Sequence, residues 1–136
     1  MTTLNQAREA VYLRFTTLFT GVASDRIAFD NEEFNEPTAG DWVRLVVRSF
    51  VRSQDTLGQT GNRKFRSTAS VLVQVYTLAN TGVKQLDTLA EEVKNIFDGV
   101  SFSGLDFLAG NIRETGPDGK WYQYVVEIEF DYDEIK

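Results

Sequence analysis

The sequence of 136 residues contains no cysteine and no histidine, and only two prolines and one methionine. Without thiols or imidazoles there can be no disulfide, no Ser-His-Asp or cysteine nucleophile, and no zinc site built from nitrogen or sulfur ligands. No run of apolar residues approaches the length of about 18 that a membrane-spanning helix needs. The first fifteen residues, MTTLNQAREAVYLRF, lack a charged leader followed by an apolar stretch, so no secretion signal, no membrane partner and a cytoplasmic setting are expected. The lack of cysteine is compatible with that compartment. Positive charge is also in deficit: 14 Lys and Arg against 20 Asp and Glu leave a net charge of −6, the wrong sign for a domain that coats nucleic acid. What is present is ordinary globular material, 42% hydrophobic and 12% aromatic. The length suits one domain, 1–136, with a packed core.

Charge is unevenly placed along the chain. Residues 25–41 carry −5 and 127–136 carry −4, whereas 42–66 carry +5; the segments 1–24 and 67–126 carry +1 and −3. An acidic and a basic surface on one small molecule suit identical copies that meet through different faces, and clustered solvated charge gives the same pattern.

A first helix is predicted from Thr3 and Gln6 at capping-box spacing and from Leu4, Ala7, Val11, Phe15 and Leu18 at steps of three and four, with Gly21 as its end. Ile27, Ala28 and Phe29 then read as an edge strand, followed by a loop with Pro37 and Gly40. From Trp42 to Arg52 the residues alternate, Val43, Leu45, Val47 and Val51 on one side and Trp42, Arg44, Val46, Arg48, Phe50 and Arg52 on the other. The polar segment 53–64 has little to bury, so it projects into solvent or meets a partner, and a second strand from Phe65 to Thr77 completes a hairpin around it. Leu86, Leu89, Ala90, Val93, Ile96 and Phe97 mark a second amphipathic helix, with Gly99 at its cap. A strand from about Leu105 leads to a tight turn at Gly116-Pro117-Asp118-Gly119. The last strand alternates Tyr122, Tyr124, Val126, Ile128 and Phe130 against Gln123, Val125, Glu127 and Glu129. The order α-β-β-β-α-β-β predicts an α+β fold, a two-layer sandwich with two helices packed on one face of a mostly antiparallel sheet.

The main candidate site is the basic stripe: Arg44, Arg48 and Arg52 on one strand face with Trp42, and Arg63, Lys64 and Arg66 returning across the hairpin. Guanidinium groups between aromatics suit single-stranded nucleic acid, carboxylates on a neighbouring copy, or plain solvent, and the net charge weighs against the first. Acidic counterparts are Asp30, Glu32, Glu33 and Glu36, or Asp131, Asp133 and Glu134. Asp131 and Asp133 share a face if the last strand continues, an oxygen-only pair of the kind magnesium or calcium takes; an exposed acidic tail gives the same residues. No glycine-rich phosphate loop is present, and Ser67, Thr68 and Ser70 have no histidine to activate them. Neither a catalytic centre nor a cofactor is expected.

Six pieces, taken in order, resemble one known group: the amphipathic first helix, IAFDNEEF at 27–34, DWVRLVVRS at 41–49, TLGQTGNRKFRSTASVLVQVYT at 56–77, TGVKQLDTLAEEVKNIFDG at 81–99 and GPDGKWYQYVVEIEFDYDE at 116–134. Together they are similar to the tail-terminator family of long-tailed, lambda-like bacteriophages. The resemblance implies a structural virion protein at the head-proximal end of the tail, assembled in the host cytoplasm. Members form rings, typically hexameric, that cap the tail tube, stop addition of tube protein and offer the docking surface for the head connector. It further implies that DNA passes through the lumen without specific binding. Two alternatives are a head-tail (neck) completion protein and an accessory protein binding single-stranded nucleic acid. A 53–64 loop that orders on assembly would fit the first reading.

Overall fold

Thr3 opens the first helix, α1 (Leu4–Leu18), as its spacing predicts. Its Oγ1 accepts from the Gln6 amide at 3.2 Å, and Gln6 Oε1 accepts from the Thr3 amide at 3.0 Å, satisfying two helix-end donors reciprocally. The computed structural model describes residues 3–38 and 40–136, and of Phe50 only the backbone. Ala7, Val11 and Phe15 are buried, while Leu4 and Leu18, at the ends of the predicted stripe, are exposed. The helix stops at Leu18, short of Gly21. Gly21 has a packing role instead, since a Cβ there would stand 2.5 Å from Leu89 Cδ2 and 2.7 Å from Glu92 Oε2.

The remaining elements are β1 (Ile27–Phe29), β2 (Trp42–Gln54), β3 (Lys64–Leu78), α2 (Lys84–Phe97), β4 (Ser101–Phe102), β5 (Leu105–Asp118) and β6 (Trp121–Ile135), with a single 3₁₀ turn at Ser24–Arg26. The fold is α+β. Its six-stranded sheet has the order β1-β2-β3-β6-β5-β4 and curls as a half-barrel. All pairings are antiparallel except β1 with β2, which run parallel with Ile27 opposite Val43 and Phe29 opposite Leu45. The two-residue β4 is absent from the predicted order.

The inner face of the sheet and the helices share one core. Val43, Leu45 and Val47 of β2, Ala69 to Val75 at alternate positions of β3, and Tyr124, Val126, Ile128 and Phe130 of β6 meet all six predicted apolar residues of α2 and the buried stripe of α1. Phe97 is central: its ring lies 6.4 Å from that of Phe15 and 5.1 Å from that of Phe107. Beside it, Gly99 at φ +64° follows the end of α2 as expected. Gly110 lies where α2 crosses β5, where a Cβ would be 2.8 Å from Lys94 Cγ.

Two expectations are corrected. The β5–β6 turn falls later than 116–119: Pro117 still pairs with Tyr122 and Asp118 with Trp121, leaving Gly119, at φ +62°, and Lys120 as a two-residue turn. Gly116, at φ +92°, belongs to a bulge between Glu114 and Gly116. Pro117 is tolerated in the strand because this stretch of β5 is an edge. The second correction is in β2. Ser49 pairs with Ala69 but Val51 with Thr68, so one residue is inserted and the alternation inverts beyond it. Arg52, opposite Ser67, therefore turns to the inner side, away from Arg44 and Arg48, and Val51 turns outward at 63% exposure. A period-two pattern carries no mark of such an insertion. The predicted face of the Phe50 side chain lies outside the described residues.

Replacing Phe97 with alanine should lower unfolding free energy by about 3–5 kcal/mol, the usual range for a buried phenylalanine. Urea denaturation measures this directly.

Candidate subunit interface

Because β1 and β2 are parallel, the chain must cross over between them, and the described residues 30–38 make that crossing along the outer sheet face. The strap is held by aromatic contacts. The Phe34 ring stacks 5.2 Å from Trp42, Trp42 stacks on Tyr76 at 4.1 Å, and Trp121 meets Trp42 edge-on at 5.9 Å. With Ala28 and Leu78 these residues form a second, smaller apolar cluster. Trp42 is thus buried, not displayed, and its Nε1 has no partner among the described residues, which costs about 1–3 kcal/mol. The strap's polar ends are tied as well: Trp121 Nε1 donates to Glu36, and Lys120 Nζ donates to the Thr38 carbonyl at 3.3 Å.

Most of the predicted acidic and basic residues meet each other within the chain. Arg48 pairs with Asp30. Arg66 forks onto Asp133 with bonds of 3.0 and 3.3 Å, and Lys64 Nζ stands 3.6 Å from the same carboxylate. On the inner side Arg52 binds Glu134 at 2.6 Å and lies over the Phe65 ring at 4.3 Å. Arg63 donates to the Lys136 carbonyl at 3.1 Å. Asp131 and Asp133 do share the outer face, but Asp131 accepts from Thr68 Oγ1 at 2.7 Å, and among the described residues no group of three or more metal-ligating side chains gathers. Glu32 and Glu33 are exposed on the strap.

The hydrogen bond from Arg48 holds the Asp30 carboxyl below the usual carboxylate range, and that from Arg66 does the same for Asp133. Burial pushes the Tyr76 phenol upward. For the two aspartates the sign follows from linkage: their pairing stabilises the fold above the unfolded-state pKa and is lost as pH falls through the lowered one.

Arg44 differs from the other basic residues. Its guanidinium lies 5.8 Å from the Trp42 ring, and no carboxylate stands within ion-pair distance of it among the described residues. It lines an outer-face cleft of about 340 Å³ with Arg48 and, from the far strand, Arg113; Val46, Leu72 and Val125 supply apolar floor. Arg113 was not anticipated. Its signal was obtainable only from the β5–β6 register, which sets it opposite Val125. Arg113 itself binds Glu127 at 2.9 Å. The cleft therefore gathers three guanidinium groups around the Asp30 carboxylate, which also lines it; Arg48 and Arg113 are ion-paired, while Arg44 acts on Asp30 only through space and has donors left for an anionic group from outside.

No family model and no curated protein matches the chain. Among solved structures, one protein without a functional name is similar over 92% of this chain and 94% of its own, with a TM-score of 0.61 and 17% sequence identity. That likeness concerns the fold alone.

On acidification from about pH 5 to about pH 2, the urea midpoint should fall more steeply for the native chain than for an Asp30→Asn, Asp133→Asn double variant, which has no depressed carboxyl to protonate at either position. Phe34→Ala should increase acrylamide quenching of tryptophan emission, because Trp42 and Trp121 are the only tryptophans. Unchanged quenching would mean that the strap does not shield them.

Proposed function

We propose that this chain is a ring-forming tail terminator of a long-tailed bacteriophage. In this reading its helices form one layer on the inner face of the sheet. Copies close a ring, hexameric by resemblance, on the finished tail tube, block further tube protein and present a surface to the head connector. The observation that carries the reading is a pair of unlike open sheet edges. β1 pairs only with 43–45 of β2, and β4 only with 105 and 106 of β5, with Val100, Gly99 and Asp98 taking up groups of Phe107, Leu108 and Gly110, so β2 beyond Leu45, apart from the Val47 carbonyl that accepts from Arg8, and β5 beyond Gly110 have backbone donors and acceptors to spare.

An edge joint between β2 of one copy and β5 of the next uses two different surfaces, the geometry that closes rings. The edges also differ in charge: 46–54 carries Arg48 and Arg52 with no acid, while 111–118 carries Glu114 and Asp118 against Arg113. Arg44, Arg48 and the exposed Glu32 and Glu33 are the candidate contacts beside these edges. Every copy adds a net charge of −6, and an acidic lumen repels the DNA backbone, letting it pass unbound.

A neck completion protein would use the same joint on a different partner. The nucleic-acid alternative is less supported, because Trp42 and Phe34 are stacked on each other and present no open ring for a base.

Tubes assembled from tube protein should be short and uniform with the native chain, and longer and heterogeneous without it, by electron microscopy. Arg44→Glu should weaken self-association about tenfold or more in sedimentation and lengthen the tubes. A length distribution indifferent to the protein would refute the assignment.

A further inference from the structure

An open strand edge can receive another strand in many registers, and a slip of one residue turns every side chain to the wrong face. Direction is settled first. β2, β3, β6 and β5 lie side by side in that order, each antiparallel to the one before, so β2 and β5 run in opposite directions. A second copy that continues the sheet with its helices on the same side therefore brings its β5 antiparallel to β2. Three features of the two edges then select one register.

Coverage is the first. β1 covers β2 as far as Leu45, and Arg8 takes the Val47 carbonyl at 3.2 Å. Residues 98–102 cover β5 as far as Gly110, whose amide donates to Asp98 Oδ1 at 2.6 Å. Residues 48–54 of one copy fit against 118–112 of the next without displacing either cover.

The second is side-chain direction. Each open stretch holds one inserted residue, between Ser49 and Val51 in β2 and between Glu114 and Gly116 in β5. With Arg48 opposite Asp118 the two insertions fall against each other: Ser49 meets Pro117 and Arg52 meets Glu114, with two residues of each strand between. Inner-facing residues then meet inner-facing ones on both sides of the insertions, and Arg48 and Ser53 meet Asp118 and Arg113 on the outer face. A slip of two residues one way drives Gln54 onto the covered Gly110. The same slip the other way sets the inner Arg52 against the outer Gly116.

Charge is the third. This register places Arg48 by Asp118 and Arg52 by Glu114, two cross-strand pairs of opposite sign, with both acids exposed. Each arginine already holds a carboxylate of its own chain, Asp30 or Glu134, and a guanidinium has donors enough to bridge to a second.

We infer that copies of this chain join as one continuous sheet, β2 of one antiparallel to β5 of the next, with Arg48 opposite Asp118 and Arg52 opposite Glu114. The register deepens the ring reading and rests on its edge joint. Ser70 stands opposite Arg48, and Leu78 stands opposite Trp121, the partner of Asp118, so successive copies step along the strands by about eight residues. A ring closes over such a step when its strands tilt against the ring axis, as those of closed barrels do.

The chain has no cysteine, so introduced ones report the joint without background. Ser53→Cys and Arg113→Cys face each other in this register, whereas within one chain β3 and β6 lie between them, beyond disulfide reach. The two variants, each checked for native circular dichroism, are oxidised separately and as an equimolar mixture, with and without tube protein. Asn111→Cys in place of Arg113→Cys reports the slipped register, and tube lengths are measured in parallel with the native chain. The expected result is a linked dimer at least about tenfold more abundant from 53 with 113 than from 53 with 111 or from any variant alone. Tubes cut short with no 53-to-113 link, or with the 53-to-111 link dominant, would overturn this register and leave the terminator reading standing. A 53-to-113 link with tube length unchanged would uphold the joint and overturn the terminator reading. Neither a link nor an effect on tube length would overturn both.

Discussion

A parallel strand pair cannot be joined by a tight turn, and much of this molecule's surface follows from that restriction. β1 and β2 run side by side in the same direction, so the acidic segment between them has to travel across the sheet. It travels across the outer face, where β2 displays Arg44 and Arg48. Asp30 meets Arg48 on the way, and Phe34 and Glu36 reach Trp42 and Trp121. The apolar part of this contact dominates. An exposed ion pair contributes about 0–1 kcal/mol, whereas burying a large aromatic side chain contributes about 1.5–3 kcal/mol. The ion pair sets the register of the strap more than it holds the strap down.

That arrangement explains why charge arithmetic along the chain overstates the charge available to partners. Segments of opposite sign lie on adjoining strands: β3 pairs with β6, setting Arg66 opposite Asp133 and Phe65 opposite Glu134. The attraction is spent inside the chain at the hairpin-loop end, where it keeps the strand ends in register. What is left for other molecules is a shorter roster, Arg44 on the outer cleft and Glu32 and Glu33 on the strap, together with the open edges of β2 and β5.

The helices were the most legible part of the sequence. All six apolar residues assigned to α2 are buried, and the Thr3–Gln6 capping box forms, because periodicity and capping are local and one chain segment suffices to specify them. The β2–β3 hairpin and the faces of β6 were legible for the same reason. The site was read less well. Arg52 was assigned to the wrong face because an inserted residue leaves composition and spacing untouched, and Arg113 was missed because its neighbours come from strand order. Trp42 was taken as displayed, since its cover is a polar, acidic stretch whose one useful apolar residue, Phe34, gives no periodic signal. Pairings between distant segments decide all three, and no local pattern encodes them.

The inserted residue in β2 has a consequence for how this strand tolerates changes of length. It places Arg52 against Glu134 on one side of the sheet and sends Val51 to the other. Removing the single inserted residue would leave Val51 opposite Thr68 and Arg52 opposite Ser67, each on the side it now occupies. Keeping every residue but pairing the strand without the insertion would set Val51 opposite Ser67 and Arg52 opposite Arg66: a valine on the side where a carboxylate waits, and an arginine on the side already crowded. The insertion, not the residue that fills it, decides which surface carries the charge, so a one-residue deletion there is milder than its position in a long strand suggests.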